Sequence, residues 1–437
     1  MTLKISVIGT GYLGATHAAC MSNLGFEVVG IDVDPAKIAS LAAGKIPFYE
    51  PGLEELLQSE LKTGRLTFSA DVAAIADCDV HFICVGTPQS KDGLAADLSY
   101  VFGSLEAIAP VIKSGSLVVG KSTVPVGTAA KMRTRLLEIN PKADLAWNPE
   151  FLREGFAVED TLHPSRLVVG VASESAERIL REVYSKNLAE QIPWVVADLP
   201  TAELVKGAAN SFLATKISFI NAMAEVCEAA GGDVTVLAKA IGYDPRIGSR
   251  FLQAGIGFGG GCLPKDLRAF MARAQELGAG QALEFLREVD SINLRSRTRM
   301  IDLVRNELSE DLRGKKIAVL GAAFKPDSDD VRDSPALDIA VQVQAAGAVV
   351  TVHDPKAIES AKLRFPALGY SEDISTTLAG ADLVLHLTEW KLYRELDPSK
   401  LLPLVSHARI IDGRNALDRD KWRNAGWKFR ALGRAEN

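Results

Sequence analysis

Lys4-Ile5-Ser6-Val7-Ile8-Gly9-Thr10-Gly11-Tyr12-Leu13-Gly14 decides how the N-terminal half of the chain folds. A short apolar, β-branched run enters a turn with glycines at 9, 11 and 14, and residues 15–24 continue as a helix. The first glycine permits the tight turn, the second lets a pyrophosphate approach the backbone, and the third lets the helix pack closely on the strand. The helix N-terminus adds backbone N–H donors and a partial positive charge. Alone, this pattern is a weak signal. Asp32 at the end of the next apolar run strengthens it, because an acid there accepts from ribose hydroxyls and repels a 2′-phosphate. That points to NAD rather than NADP, with Lys37 the nearby charge that argues the other way.

Outward from this stretch, residues 4–8, 27–31, 80–85 and 117–120 are runs apolar on both faces, separated by helix-length segments. Such runs belong to a parallel sheet covered on both sides, a doubly wound α/β domain. The same grammar returns late in the chain. Lys316-Ile317 leads to Leu320-Gly321, His353-Asp354-Pro355 echoes Asp32-Val33-Asp34-Pro35, and Asp382-Leu383-Val384 echoes Asp79-Val80-His81. Three landmarks in one order predict a second Rossmann-like domain. Between the two lies a helical pattern over residues 201–230, with Thr201 as its N-cap and Gly231-Gly232 as its stop. At 1.5 Å per residue it extends about 45 Å, which suits a spine that also supplies a dimer surface. The expected organisation is a nucleotide-binding domain over residues 1–200, a central helical linker and dimerisation region over 201–310, and a second Rossmann-like domain over 311–437.

Bulk properties fit. The 437 residues are 47% hydrophobic and 24% charged with a net charge of -6, and no basic run marks a nucleic-acid or membrane-surface footprint. The N-terminus reads as a strand rather than a secretory signal, and no apolar run is long enough to span a membrane. Cys20, Cys78, Cys84, Cys227 and Cys262 are odd in number and form no CxxC pair, so neither a disulfide framework nor a metal site is expected, and the compartment expected is the reducing cytoplasm.

Cys262 stands apart from the other four. It lies in Gly257-Phe258-Gly259-Gly260-Gly261-Cys262-Leu263-Pro264-Lys265-Asp266, and a helix pattern follows. Pro264 suits a first helical turn, which puts Cys262 just before a helix N-terminus, where the helix partial charge and Lys265 both favour thiolate. The glycines are expected to leave room for a substrate. Lys206 and Asn210 sit four apart on one face of the long helix. They are either a desolvated proton-transfer pair or a lysine that snorkels to solvent beside a surface asparagine. Glu150 and Glu154, in a loop after a predicted strand, are both candidates for base or hydrogen-bond roles. In the second half the motif is reduced to Gly321-Ala322-Ala323, so side chains such as Lys325, Arg332 and Arg414 are expected to meet phosphate or ring instead.

In chain order, GTGYLG (9–14), Asp32, STVPVG (122–127), NPEFLREG (148–155), Lys206 with Asn210, FLQAGIGFGGGCLPKD (251–266), AAFKPDSDDVRDSP (322–335) and IDGRN (411–415) resemble the UDP-glucose/GDP-mannose dehydrogenase family. The resemblance covers nearly the entire chain. It implies a four-electron oxidation of UDP-glucose to UDP-glucuronate with two NAD per sugar, GDP-mannose being the alternative substrate. It implies that Cys262 carries a thiohemiacetal and then a thioester. Lys206, Asn210 and Asp266 match residues for proton transfer and oxyanion support, and Thr123 and Glu154 match those that place water or act as base. Cofactor contacts are implied at Gly9, Gly11, Tyr12, Leu13, Gly14, Asp32, Lys37, Thr87, Thr123, Glu154, Lys265 and Arg332. Sugar-nucleotide contacts are implied at Phe151, Leu152, Glu154, Lys206, Asn210, Phe251, Gly255, Phe258, Gly259, Lys325 and Arg414. Arg246 matches a residue given by a neighbouring subunit, implying a homodimer or higher homo-oligomer. A two-electron hydroxyacid dehydrogenase would need neither Cys262 nor the second domain.

Overall fold

The computed structural model describes residues 3–90 and 93–435. The chain forms two compact units, Met1–Ala209 with Arg268–Gly280, and Asn210–Leu267 with Gln281–Asn437. The middle of the chain is therefore divided between them, and two helices, Leu199–Ala230 and Leu263–Glu276, continue from one unit into the other.

The first unit is built on an eight-stranded sheet. Its strands are β1 (Lys4–Ile8), β2 (Glu27–Ile31), β3 (Leu66–Ser69), β4 (Val80–Ile83), β5 (Leu117–Gly120), β6 (Asp144–Trp147), β7 (Leu167–Gly170) and β8 (Trp194–Ala197). Their order is β3-β2-β1-β4-β5-β6-β7-β8, parallel except where β6 meets β7. Ile5 and Val7 point to one face and Ile8 to the other, and all three are buried, as expected for strands covered on both sides. The order reverses between β1 and β4, and the turn after β1 opens at that switch point, where doubly wound sheets bind ligands.

The second unit carries β9 (Lys316–Leu320), β10 (Val349–His353), β11 (Gly369–Tyr370), β12 (Leu383–His386), β13 (Arg409–Asp412) and β14 (Lys428–Ala431). Their order, β11-β10-β9-β12-β13-β14, is all parallel and repeats the first six strands of the other sheet. The three sequence echoes fall on β9, β10 and β12, the strands that flank this sheet's own switch point.

The long helix starts two residues earlier than the sequence pattern predicts. Asp198, not Thr201, is its cap: its carboxylate accepts from the Thr201 N–H at 2.7 Å. Pro200 thus lies inside the first turn, where its missing N–H costs nothing. At the other end Gly231 is left-handed (φ 75°) and the Gly232 N–H returns to the Cys227 carbonyl at 2.7 Å, a Schellman-type stop. Among the described residues, no helix is long and apolar enough to cross a membrane.

Candidate active site

In the first unit the three glycines have three separate reasons. A Cβ at Gly14 would lie 1.8 Å from the Gly9 carbonyl, and one at Gly9 would lie 2.7 Å from Val85. A Cβ at Gly11 would meet nothing within 4 Å. The turn is thus closed by packing at its ends and open at its middle, beside the N-terminus of the helix Tyr12–Asn23, which fits a pyrophosphate seat. Asp32 is 7% exposed. It accepts from the Thr10 N–H at 2.8 Å, the Asp34 N–H at 3.1 Å and the Lys37 ammonium at 2.8 Å. Burial opposes ionisation, but these donors hold its pKa below the ordinary carboxylate value. Asp32 therefore braces the glycine turn, and Lys37 is its ion-pair partner.

The loops after β4, β5 and β6 bring the next group together. The Thr87 hydroxyl donates to the Thr123 carbonyl at 2.8 Å, joining two of these loops. Lys206 is buried and pairs with Glu150 at 3.0 Å, and its ammonium lies 5.6 Å from the Phe151 ring centroid. The snorkelling alternative is therefore excluded. Glu150 also accepts from the Leu152 N–H at 2.8 Å, which fixes the bend of the loop. Glu154 is half-buried on the same loop.

Three residues of this unit were assigned no role from the sequence. Lys121 is buried at the end of β5, donating to Asn148 at 2.9 Å, and burial pulls its pKa down to about 8. Glu203, one turn before Lys206, caps the helix Thr128–Ile139 through the Gly127 and Ala129 N–H groups at 2.7 and 2.6 Å, and burial pushes its pKa up to about 7. Glu50 accepts from the Gly155 and Ala157 N–H groups at 2.6 and 2.7 Å. A lone polar residue in an apolar pattern was their only sequence signal.

In the second unit Cys262 is the residue immediately before the helix Leu263–Glu276, and it is exposed. Cys20, Cys78 and Cys84 are buried, and burial pushes each thiol up to about 12, leaving them unreactive. The Asp266 N–H bonds the Cys262 carbonyl at 2.8 Å, closing the first turn. The Asp266 carboxylate, 3% exposed, takes the Asn210 amide at 2.7 Å on one oxygen and the Lys265 ammonium at 2.6 Å on the other. Asn210, Asp266 and Lys265 thus form one polar group at the base of the Cys262 loop.

The glycines of that loop do not provide room, contrary to the sequence expectation. A Cβ at Gly255 would lie 2.5 Å from the Gly413 carbonyl, at Gly257 2.3 Å from the Asn293 amide oxygen, and at Gly259 2.2 Å from the Asp333 carbonyl. The loop lacks side chains because neighbouring backbone, at Gly413 and Asp333, and neighbouring side chains, of Asn293, Phe324 and Arg332, fill the space they would need. Buried asparagines on two helices pin it: Asn221 accepts from the Gly255 N–H at 2.8 Å, and Asn293 both accepts from the Phe258 N–H at 2.7 Å and donates to its carbonyl at 3.0 Å.

Arg414 is also part of this fastening. Its guanidinium donates to the carbonyls of Leu387 (2.8 Å), Gly257 (2.9 Å) and Phe324 (2.9 Å), so it is drawn inward, where the sequence reading had it reaching for phosphate or ring. Lys325 stands 5.5 Å from the Phe324 ring centroid, and Arg332 is exposed with a bidentate bond to Asp330. Phe251 is held at φ 64° and is 38% exposed, and Arg246 lies on the surface paired with Asp244 at 2.6 Å. Among the described residues, no group of three or more His, Cys, Asp or Glu converges as a metal site.

Three family models match the chain in order: the NAD binding domain of the UDP-glucose/GDP-mannose dehydrogenase family over residues 3–188, its central domain over 200–295 and its UDP binding domain over 318–419. A UDP-glucose 6-dehydrogenase of Rhizobium meliloti (strain 1021) is 40% identical over 439 residues, covering 99% of this chain and 100% of its own. One from Bacillus subtilis (strain 168) is 40% identical, covering 99% and 93%. The solved UDP-glucose dehydrogenase of Pyrobaculum islandicum superposes with a TM-score of 0.91 at 38% identity, covering 100% of this chain and 98% of its own. The glycine turn, the pinned cysteine loop and the Lys206 helix thus occur within a full-length match, and the chain belongs to the UDP-glucose/GDP-mannose dehydrogenase family.

Proposed function

We propose that this protein is a UDP-glucose 6-dehydrogenase that oxidises the C6 alcohol of UDP-glucose to the carboxylate of UDP-glucuronate. The observation that carries the reading is Cys262: an exposed thiol at a helix N-terminus, on a loop fastened by buried asparagines. The relatives at 40% identity bear the UDP-glucose 6-dehydrogenase name, which favours glucose over the mannose branch.

NAD, when bound at the Gly9–Gly14 turn beside Asp32, accepts a hydride in each of two oxidations. The chain's own groups do the rest. In the first oxidation C6 loses a hydride and its hydroxyl a proton. Lys206 manages that proton and steadies the alkoxide, a role that its burial against Glu150 supports. The Cys262 sulfur then adds to the aldehyde carbon while the thiol proton goes to the carbonyl oxygen, and the Asn210 amide supports that oxygen while Asp266, bonded to Asn210, takes part in proton transfer. Loss of a second hydride and of the hydroxyl proton leaves a thioester. Water adds to the thioester carbon, the C–S bond breaks, and acid and thiol are released. In sum, one alcohol, one water and two hydride acceptors give one carboxylate, two reduced acceptors and three protons. The covalent sulfur keeps the aldehyde in place while the first reduced cofactor leaves.

By their match to the family's motifs, Phe151, Leu152, Phe251, Gly255, Phe258, Gly259 and Lys325 are assigned to the UDP-sugar, Thr123 and Glu154 to water or base work, and Arg332 to the cofactor. Arg246, exposed and paired with Asp244, matches a residue that a neighbouring subunit supplies in the family, and on that reading it acts from a second copy of the chain in a homodimer or higher homo-oligomer. A thiol nucleophile and four buried thiols suit the reducing cytoplasm. Cys262→Ser tests the covalent step: it is expected to abolish UDP-glucuronate formation while NAD still binds. Full turnover by that variant contradicts the mechanism.

A further inference from the structure

Glu50 lies in the turn before the helix Leu53–Lys62 and is 3% exposed. Its two oxygens are fully engaged by donors from two separate segments. One accepts from the Tyr12 hydroxyl and from the Gly155 N–H at 2.6 Å, and the other accepts from the Ala157 N–H at 2.7 Å. The Gly155 N–H also reaches the Tyr12 oxygen at 3.2 Å, and the Tyr12 ring packs on Phe48 with centroids 5.0 Å apart. Tyr12 is the first residue of the helix behind Gly11, and Gly155 directly follows Glu154, so one buried carboxylate fixes residues in both places.

A carboxylate is the side chain this arrangement requires. Ionised, it offers only acceptors, and it faces only donors. Gln at the same place would turn an N–H toward a donor, leaving at least one of the three unpaired.

We propose that Glu50 is a positioning residue that locks the cofactor turn, through Tyr12, to the Glu154–Ala157 loop. The inference rests on the reading of residues 9–14 as the NAD seat. Its consequence is that NAD binding and the placement of Glu154 are set together, which matters in a reaction that exchanges the cofactor while the sugar stays bound.

The test uses the full chain as Glu50→Gln, Tyr12→Phe and the double variant, with NAD affinity by calorimetry and steady-state kcat and KM for both substrates. Glu50→Gln is expected to weaken NAD binding about tenfold, the size of losing one hydrogen bond to a charged group, and to lower kcat. The KM for UDP-glucose should stay within about twofold, because Glu50 bonds the loop at Gly155 and Ala157, beyond the residues proposed to hold the UDP-sugar, so that a misplaced Glu154 is read in kcat. Tyr12→Phe should weaken NAD binding less, and the double variant no more than Glu50→Gln, since the two act through one bond. Unchanged NAD affinity, equal losses toward both substrates, or fully additive effects would overturn the proposal. If Glu50→Gln does not fold, Tyr12→Phe, which keeps both backbone bonds, decides it alone. Should the wild-type protein release no NADH from UDP-glucose, the functional reading falls, while the calorimetric affinities still decide the role of Glu50.

Discussion

At the residue scale, chemistry was legible where the neighbours in sequence are also the neighbours in space. Cys262 announces itself by a glycine run before it and Pro264 after it, and the structure places it directly before a helix. Asp32 was legible for the same reason, as the end of the strand beside the glycine turn. Glu150 and Glu154 were not separable, because they sit one turn apart in a loop whose bend only the fold defines. The Leu152 N–H bends that loop so that Glu150 meets Lys206 at 3.0 Å. Glu150→Gln is therefore expected to lower kcat by roughly a hundredfold or more, as loss of a proton-transfer group does, with both KM values little changed. Activity within about threefold of wild type would show that the pair is structural, and the same assay on Glu154→Gln reports which acid acts.

At the scale of elements, the buried parallel strands were legible because they are continuous apolar runs, whereas β11 has only two residues and offers no run to read. The glycine loop was found but misread, since close packing against distant residues leaves no trace in local sequence. Its fastenings are the test. Asn293→Ala strands the buried N–H of Phe258, which costs about 1–3 kcal/mol, while the Phe258 carbonyl keeps the Arg297 guanidinium at 3.3 Å. The expected result is a lower thermal midpoint together with a rise in the KM for UDP-glucose, and an unchanged KM would separate the loop from substrate binding. Asp412 governs the neighbouring turn. It is fully buried, yet His386 at 2.8 Å and the Arg414 and Leu417 N–H groups outweigh burial and hold its pKa below the ordinary value. A pKa lower in the folded than in the unfolded state means that the ionised form stabilises the fold. That contribution is complete above the unfolded carboxylate pKa of about 3.9 and is lost as pH falls through the folded value. Urea unfolding of Asp412→Asn should show a deficit at neutral pH that narrows below about pH 4, and parallel curves for variant and wild type would contradict this.

On the scale of the whole molecule, two sheets share one strand order, and three repeated landmarks in the sequence sufficed to foresee the second. The division of the middle segment between the two units, at Ala209/Asn210 and again at Leu267/Arg268, was not foreseeable, because it falls inside continuous helices where the local sequence carries no break. The proposed homodimer predicts that Arg246→Ala, a change at an 87% exposed side chain, lowers activity without changing the thermal midpoint, and full activity would remove the second copy from the site. Everything else hangs on one chain carrying out both oxidations. The most direct measurement is NADH released per mole of limiting UDP-glucose with NAD in excess, with GDP-mannose run alongside. Two NADH from UDP-glucose and little from GDP-mannose is the expected result. One NADH per sugar, or none, would contradict the covalent four-electron account.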